Sequence, residues 1–315
     1  MIKAQPWRPA VAALSVLSQV IVLSGVFILT AAPAAAADTR LHDLQWNVCD
    51  QKGSVPPGSV CDWTPSQKAV EIERLIEAAD WRASIVTLQE ICQSTFNLLL
   101  PRLGFPWDGY FATTVTFPDD TRCRNTTTRN WGIAVIVKGD IYGYDNRYIG
   151  NDPDDGEVRR FLCGDVSIGR GQRVCTTHLT PSISTEARAE NRTQFNTVRA
   201  QVNTWAVQNF ATSLGADLNR DVRSCGSVDD LNILEDIYES DLGPSSCLHY
   251  GDRHYYETDR RSRGTGDIAD EATIGSKKLD YFFVNYQRFY ADYGGKLKAT
   301  AYSDHKPLHA AVTIH

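Results

Sequence analysis

The chain has 315 residues, of which 42% are apolar and 22% are charged, and this composition excludes a wholly disordered, collagen-like or low-complexity protein. Its 32 basic and 38 acidic residues give a net charge of −6, so any contact with nucleic acid would depend on a local basic patch. Length and composition fit one large domain and leave the function open.

The N-terminal segment is predicted to be a secretory signal peptide. Lys3 and Arg8 precede an apolar run over residues 11–30, and the small-residue stretch AAPAAAADT follows that run. Cleavage after Ala36 and cleavage after Ala37 fit this pattern equally well. The apolar run is also long enough to span a bilayer, so a retained membrane anchor is the alternative.

The predicted organisation is therefore a signal peptide over residues 1–37 and one domain over residues 38–315. Cleavage would remove two basic residues and no acidic ones, which changes the net charge from −6 to −8. We expect a secreted, monomeric protein that has no stable membrane association once the signal peptide has been removed.

Eight cysteines lie in the predicted mature domain, and an even number in an exported chain predicts four disulfides. The sequence leaves the connectivity open, and pairing of nearest neighbours in chain order is the simplest hypothesis. Metal binding by these cysteines is disfavoured, because no Cys-x-x-Cys spacing occurs. The cysteines are Cys49, Cys61, Cys92, Cys123, Cys163, Cys175, Cys225 and Cys247.

The first half of the domain begins with a predicted strand, RLHDLQWNVC, and a loop rich in glycine and proline. The run Thr64-Pro65-Ser66-Gln67 then offers an N-cap, a proline in the first turn and a capping-box glutamine. The helix that follows has apolar residues at helical spacing. Further strands are predicted for ASIVTLQE and WGIAVIVKG.

The second half continues with a predicted hairpin, RRFLCGDVSI and QRVCTTHL, in which Cys163 and Cys175 could form a cross-strand disulfide. A helix is predicted over residues 185–209, followed by the strands ATSLGADLN, KLDYFFVN and HAAVTI. Residues 250–276 are polar and predict a long loop or insertion. Strands separated by helices, without a repeat or a linker, indicate one layered α/β domain.

Polar side chains recur where apolar runs end, and unpaired carboxylates would be costly in buried strands. Several strands that deliver such residues to one edge would build a convergent polar site. Carboxylates there would suit Mg²⁺ or Mn²⁺, and neighbouring His and Asp side chains could supply an acid and a base. The residues are Asn47, Glu90, His178, Asp217, Asn219, Asp280, Asp304 and His305.

In this order and context the sequence resembles the endonuclease/exonuclease/phosphatase superfamily, typified by deoxyribonuclease I. The resemblance spans residues 41–314, and it implies a two-layer β-sandwich flanked by helices, with the site at the sheet edges. The segments that carry it are Gln45-Trp46-Asn47, Leu88-Gln89-Glu90, Thr177-His178-Leu179, Gly215-Ala216-Asp217-Leu218-Asn219, Leu279-Asp280-Tyr281 and Ser303-Asp304-His305-Lys306-Pro307.

The resemblance also implies a divalent-metal site. Glu90 would bind the cation, Asn47 would lie beside it, and Asp304 would belong to the same metal-proximal cluster. Mg²⁺ is the expected cofactor, with Mn²⁺ or Ca²⁺ as alternatives.

The catalytic roles are implied in the same way. His305, held by Asp280, would act as a general base or as a phosphate-activating imidazolium. Asp217 would orient or deprotonate the attacking water, and Asn219 would donate a hydrogen bond to a phosphoryl oxygen. His178 would protonate the leaving oxygen or stabilise the phosphorane.

His178 separates branches of the family, because the deoxyribonuclease I-like, cytolethal-distending-toxin-like and sphingomyelinase-like branches carry a histidine there and abasic-site repair nucleases generally do not.

An endonuclease acting on DNA or RNA is the favoured function. The alternatives are a sphingomyelinase- or phosphatase-type phosphoesterase and, from another class, an inactive binding module or toxin subunit. Two basic clusters favour nucleic acid, although both could be solvated loops. They are Arg122, Arg124 and Arg129, and Arg260, Arg261 and Arg263.

Overall fold

The computed structural model describes most of the predicted mature domain. The structure describes residues 39–50, 60–78, 81–116, 123, 129–169, 171–220, 237–238, 255–257, 273–275, 277, 279–285, 287–297 and 300–315. The predicted signal peptide, most of the predicted 250–276 loop and all the arginines of the two basic clusters except Arg129 lie outside these residues. Within the described part of the chain, no helix combines the length and the apolar character needed to cross a bilayer.

Thirteen described strands form two sheets, numbered here along the chain. The first sheet contains, in spatial order, β12 (Phe289–Leu297), β13 (Leu308–Ile314), β1 (Thr39–Asn47), β2 (Ile85–Cys92), β4 (Asn130–Lys138) and β3 (Trp107–Thr116). The second contains β5 (Ile141–Asn151), β6 (Val158–Val166), β7 (Gln172–His178), β8 (Thr212–Asp217), β11 (Asp280–Asn285), β10 (Tyr255–Glu257) and β9 (Ile237–Tyr238).

Three helices cover the outer faces of the two sheets. Helices α1 (Pro65–Ile76) and α2 (Gln93–Leu103) pack on the first sheet, and α3 (Thr185–Val207) packs on the second. A separate cluster of apolar side chains lies between the two sheets and joins their inner faces. The order of layers is helix, sheet, sheet, helix, which confirms the predicted α/β sandwich.

The helix signals in the sequence act as expected. The Thr64 hydroxyl accepts a hydrogen bond from the Gln67 amide at 3.3 Å, and the Gln67 side chain accepts one from the Thr64 amide at 3.0 Å. This capping box satisfies amide groups that have no partner inside the helix. Helix α3 begins at the predicted residue but ends at Val207, two residues before the predicted end.

Asn191 lies on the buried face of α3, although it begins the sequence Asn-Arg-Thr that glycosylating hosts recognise. Its side-chain amide donates to the carbonyl of Thr180 at 2.6 Å and to the carbonyl of Leu218 at 3.0 Å. These two carbonyls belong to the segments that follow β7 and β8. Asn191 therefore ties α3 to the ends of two strands.

Three of the predicted nearest-neighbour disulfides are present. They join Cys49 to Cys61, Cys92 to Cys123, and Cys163 to Cys175. The last pair links directly opposed residues of the predicted hairpin, now β6 and β7. The fourth pairing, of Cys225 with Cys247, falls on residues that are not described.

The two sheets approach each other closely at Gly215 in β8. A Cβ atom on this glycine would lie 2.0 Å from the Thr87 hydroxyl of β2, which is far inside van der Waals contact. The absence of a side chain at Gly215 therefore permits close packing of the sheets two residues before Asp217, at the end of β8.

Candidate active site

Three neighbouring strands of the second sheet place charged side chains side by side. The parallel strands β7 and β8 both end here, with His178 opposite Asp217, and the antiparallel strand β11 begins here with Asp280 opposite Asp217. This register brings together residues that are far apart in the sequence. The predicted clustering of these strand-end residues is present.

The first sheet contributes from the facing side. Asn47 ends β1, and Glu90 lies near the end of the parallel strand β2. The Asn47 side-chain amide donates to Glu90 Oε1 at 3.1 Å and to Asp217 Oδ2 at 2.9 Å. One amide group therefore bridges the carboxylates of the two sheets. His178 Nε2 lies 3.7 Å from each of the same two oxygens.

His305 and Asp280 form a close buried pair. His305 Nδ1 lies 2.6 Å from Asp280 Oδ2, and the backbone of His305 is held by Ser303 Oγ at 3.0 Å and by Trp46 Nε1 at 3.0 Å. Burial disfavours the charged ring, but the Asp280 carboxylate outweighs it and raises the pKa of His305 to about 10. His305 is therefore an imidazolium at neutral pH.

Asp217 stands at the centre of the group. Its Oδ1 accepts a hydrogen bond from the Asn219 backbone amide at 2.8 Å, and its Oδ2 lies 3.9 Å from His305 Nε2. Burial, with the nearby charge of Asp280, raises the pKa of Asp217 to about 7. A carboxylate with this pKa can accept a proton near neutral pH, as a general base does.

His178 has surroundings that differ from those of His305. Its Nδ1 lies 3.0 Å from Nη1 of Arg159, and its Nε2 lies 3.0 Å from Nδ2 of Asn219. Burial, followed by the positive charges of Arg159 and His305, holds the pKa of His178 well below its usual value. His178 is therefore neutral where His305 is charged.

Glu90 and Asn219 adopt left-handed backbone conformations, with φ of 53° and 52°. Asparagine tolerates this region, whereas glutamate does so at a cost. Glu90 sits in a β-bulge, because the register of β2 against β4 shifts between Leu88 and Ile91. The bulge turns the Glu90 side chain toward the site, as bulges near functional sites often do.

Asp304 lies at the margin of this group. Its side chain is exposed, and Oδ1 lies 3.8 Å from Sγ of Cys61, which is disulfide-bonded to Cys49. Burial raises the pKa of Glu90, and the negative charge of Asp304 adds to this increase. The predicted metal-proximal position of Asp304 stays a prediction.

The residues present fit a divalent cation. Glu90 and Asp304 offer hard carboxylate oxygens, and 19% of the Glu90 side chain is exposed. The Asn47 oxygen accepts the Cys49 amide at 3.0 Å, so Asn47 orients Glu90 through its nitrogen. Asp217, Asp280 and His305 also have ligand atoms within 4.8 Å of one another. The His305 ring, however, is protonated at neutral pH and offers no lone pair to a metal.

A buried amide ladder supports Asp280 from beneath, and the sequence pattern did not assign it a role. Gln45 and Gln89 exchange side-chain hydrogen bonds at 2.7 and 2.8 Å. Gln45 also donates to Asp280 Oδ1 at 3.2 Å, and Gln89 donates to the Thr176 hydroxyl at 2.8 Å. Both glutamines lie on the inner face of the first sheet. Gln45 comes two residues before Asn47 and Gln89 one residue before Glu90, and this closeness to site residues is the sequence feature that could have indicated a supporting role.

Lys68 is another supporting residue that sequence reasoning missed. It is fully buried on α1, and its ammonium group donates to the carbonyls of Val48, Cys49 and Tyr302. Burial lowers its pKa to about 8. Lys68 thereby connects the segment after Asn47 with the segment before Ser303. A lysine on the apolar face of a predicted helix was the signal for it.

No family model and no curated protein matches this sequence. Its fold is similar to that of an endonuclease/exonuclease/phosphatase from Beutenbergia cavernae, with a TM-score of 0.63, 18% identity, and 87% of this chain and 72% of that chain covered. The human Nocturnin catalytic domain has a TM-score of 0.60 and 16% identity, with 89% and 97% covered. D. rerio TDP2, solved with a single-strand DNA product, has a TM-score of 0.55 and 13% identity, with 87% and 99% covered.

Identities this low establish a common fold, and the chemistry has to be argued from the site itself. The three comparisons cover 87–89% of this chain. The protein shares the deoxyribonuclease I-like fold of the endonuclease/exonuclease/phosphatase superfamily.

Proposed function

We propose that the protein is a secreted hydrolase that cleaves phosphodiester bonds with a bound divalent cation, and that its substrate is nucleic acid. One observation carries the proposal: a cationic histidine and a carboxylate whose pKa is near 7 face each other 3.9 Å apart, among further hydrogen-bond donors. Hydrolysis of a phosphoester requires both a proton acceptor for water and positive charge near phosphorus.

The chain's own residues divide these tasks. Asp217 takes the proton of the attacking water, since its pKa matches this role. His305, kept cationic by Asp280, donates Nε2–H to a phosphoryl oxygen and stabilises the charge that develops there. Asn219 and His178 place further N–H groups at the same end of the sheets.

Glu90, with Asp304 beside it, would hold the cation, and Asn47 would keep the Glu90 carboxylate in place. When bound, Mg²⁺ or Mn²⁺ supplies Lewis-acid stabilisation of the phosphoryl oxygens. Glu90 enters the site through a strained bulge, and such strain is typical of functional positions.

Nucleic acid is favoured over a lipid or a soluble phosphomonoester by two observations. A solved structure of similar fold, that of D. rerio TDP2, holds a single-strand DNA product. The sequence also carries two arginine clusters, which could bind backbone phosphates on an otherwise acidic protein. Secretion is proposed from the charged, apolar and alanine-rich pattern of the N-terminal segment and from the disulfides.

The test is a parallel hydrolysis assay of plasmid DNA, RNA, sphingomyelin and inositol phosphates, with Mg²⁺, Mn²⁺ or Ca²⁺ and with EDTA. We expect metal-dependent cleavage of DNA or RNA that EDTA abolishes. Cleavage of sphingomyelin alone would overturn the proposed substrate, and a folded protein inert on all four would overturn the proposed activity. N-terminal sequencing of the exported protein tests secretion, because a retained anchor would leave it uncleaved in the membrane fraction.

A further inference from the structure

Arg159 lies beneath the candidate active site, and no role has been assigned to it. Its side chain, on β6, is 2% exposed. Nη2 donates to Asp152 Oδ2 at 2.7 Å, and Nη1 lies 3.1 Å from Glu157 Oε2 and 3.0 Å from His178 Nδ1. The buried acidic side chains of Asp152 and Glu157 therefore hold the guanidinium in its position beside the histidine.

The chemistry of this contact determines where the ring proton of His178 lies. A guanidinium stays protonated and has only donors, so the nitrogen that faces Arg159 must accept with its lone pair. Nδ1 is then unprotonated, and a neutral ring carries its proton on Nε2. The other histidine of the site is held in the opposite way, because the Asp280 carboxylate faces Nδ1 of His305 and accepts from it.

We propose that Arg159 is a positioning residue that holds His178 as the neutral Nε2–H tautomer, so that His178 donates a hydrogen bond to the substrate and does not take a proton from it. The tautomer follows from the contact with the charged Arg159, which outweighs the neutral Asn219 amide that faces Nε2 at 3.0 Å. The identification of the acceptor as a phosphoryl oxygen rests on the proposed function.

The surroundings of Nε2 point to an acceptor supplied from outside the protein. The carboxylate oxygens of Glu90 and Asp217 lie 3.7 Å away, beyond hydrogen-bond distance. Asn219 Nδ2 lies 3.0 Å away and also donates to the Leu179 carbonyl at 2.8 Å. The charged guanidinium is the stronger of the two donors that face the ring, so Nδ1 accepts from it and Nε2–H is left beside the Asn219 amide. One oxygen lying against both nitrogens would accept from both.

The proton position is measured directly by ¹H–¹⁵N correlation of the imidazole rings, in which the protonated and unprotonated nitrogens have well-separated shifts. The His178 signals are identified by their loss in His178→Ala. We expect the proton on Nε2 in the wild-type protein, without metal or substrate. A proton on Nδ1 would overturn the proposal, and this measurement requires no variant of Arg159.

Two variants then test whether Arg159 is the cause. The double variant Arg159→Met/Asp152→Asn removes the cation together with Asp152, one of the two acidic side chains that pair with it. The matched control, Asp152→Asn alone, keeps the guanidinium beside His178. The Nε2–H preference should persist in the control and be lost in the double variant. Its persistence in both would contradict a role for Arg159.

Activity separates a positioning role from a purely structural one. The double variant should lower kcat by about 10- to 100-fold, the usual effect of removing a partner behind a site residue. It should lower kcat no further in a His178→Ala background, and Arg159→Lys, which keeps a donor, should recover part of the loss. Fully additive effects would contradict the proposal. The expected tautomer in a protein inert on every substrate would instead contradict the proposed function alone.

Discussion

The two histidines of the candidate site show how buried neighbours assign different roles to one residue type. At His305 a carboxylate lies 2.6 Å from Nδ1, and the ring is cationic. At His178 a guanidinium lies 3.0 Å from Nδ1, and the ring is neutral. Both contacts are made at Nδ1, so in both rings Nε2 is the nitrogen directed at the site, and at His178 it lies 3.0 Å from the Asn219 amide nitrogen.

Asp280→Asn tests the charge of His305. The amide keeps the shape of Asp280 but removes the negative charge that holds the proton on the ring, so the pKa of His305 should fall. We expect kcat to fall by about 10²- to 10⁴-fold. Steady-state kinetics and a titration of the His305 ring measure the two effects. Asp165→Asn, which breaks a half-buried ion pair with Arg173, is the control, and an unchanged kcat in Asp280→Asn would contradict the role.

Glu90 offers a second residue-scale prediction, from its left-handed backbone. Glu90→Gly relieves the steric cost of φ 53°, whereas Glu90→Gln retains it, and both remove the carboxylate. We expect both variants to lose metal-dependent activity. The free energy of unfolding should be about 1 kcal/mol higher for the glycine variant than for the glutamine variant. Urea denaturation measures this difference, and equal stabilities would show that the bulge carries no such cost.

The pattern of polar residues at the ends of apolar runs predicts most of the site residues, but it does not predict the residues that hold them in place. Asn47, Asp217 and Asp280 directly end or begin apolar runs, and the resemblance assigned them roles. Arg159 and Arg160 are adjacent in one strand, and nothing local shows that the first turns inward. Two of its three partners, Asp152 and His178, lie 7 and 19 residues away in the sequence, so these contacts depend on tertiary structure.

Among the elements, predictions succeeded where burial imposes a pattern. Strands β2, β4, β8 and β11 are buried along nearly their whole length, and their apolar runs were clear in the sequence. Strand β5 is at the edge of its sheet and mostly exposed, with tyrosines facing solvent, so it has no such run. Helix α2 was also missed, and Pro101 in its last turn weakens the helical pattern.

Gly215→Ala tests the close packing of the two sheets. The added methyl group would collide with Thr87, so we expect the free energy of unfolding to fall by about 1–3 kcal/mol. Thr87→Ala in the same chain removes the oxygen at 2.0 Å but leaves the Thr87 Cβ at 2.9 Å, and should restore only part of the stability. Gly143→Ala, on edge strand β5, is the control. Equal midpoints in urea for the Gly215 variant and the wild type would contradict the close approach.

At the scale of the whole molecule, one buried acid opposes folding at neutral pH. Asp43 is fully buried between the sheets, and neither of its carboxylate oxygens has a hydrogen-bond partner in the described part of the chain. Burial raises its pKa well above the ordinary value of 3.8. The folded state therefore prefers the neutral acid, and stability decreases as the pH rises from 3.8 through the raised pKa.

Asp43→Asn should remove this dependence, because the amide is neutral at every pH. We expect the wild type to lose stability relative to the variant by up to about 1.4 kcal/mol per pH unit in that interval. Urea denaturation at several pH values measures both slopes. Asp140→Asn, at an exposed position, should keep the wild-type slope, and a wild-type slope in Asp43→Asn would contradict the argument.

The layered α/β fold and the pairing of three disulfides could be predicted from the sequence, because the hydrophobic pattern of the strands and helices and the order of the cysteines can both be read along the chain. The division of strands between the two sheets could not. Strands β7 and β8 are separated in the sequence by α3 but are neighbours in the sheet. In the first sheet, β4 lies between β2 and β3 and pairs with both, although it follows them in the sequence. These neighbours are set by tertiary packing rather than by local pattern.

The inward-facing side chain of Asn191 has a consequence for how the protein can be produced. Glycosylating hosts modify Asn-x-Thr acceptors on nascent chains, before the helix that contains this one has docked. A sugar at that position would occupy the space of the contacts to Thr180 and Leu218 and hold α3 away from the strand ends. Bacterial periplasmic expression, or Thr193→Ala in a eukaryotic host, avoids this outcome, because Thr193 itself is exposed.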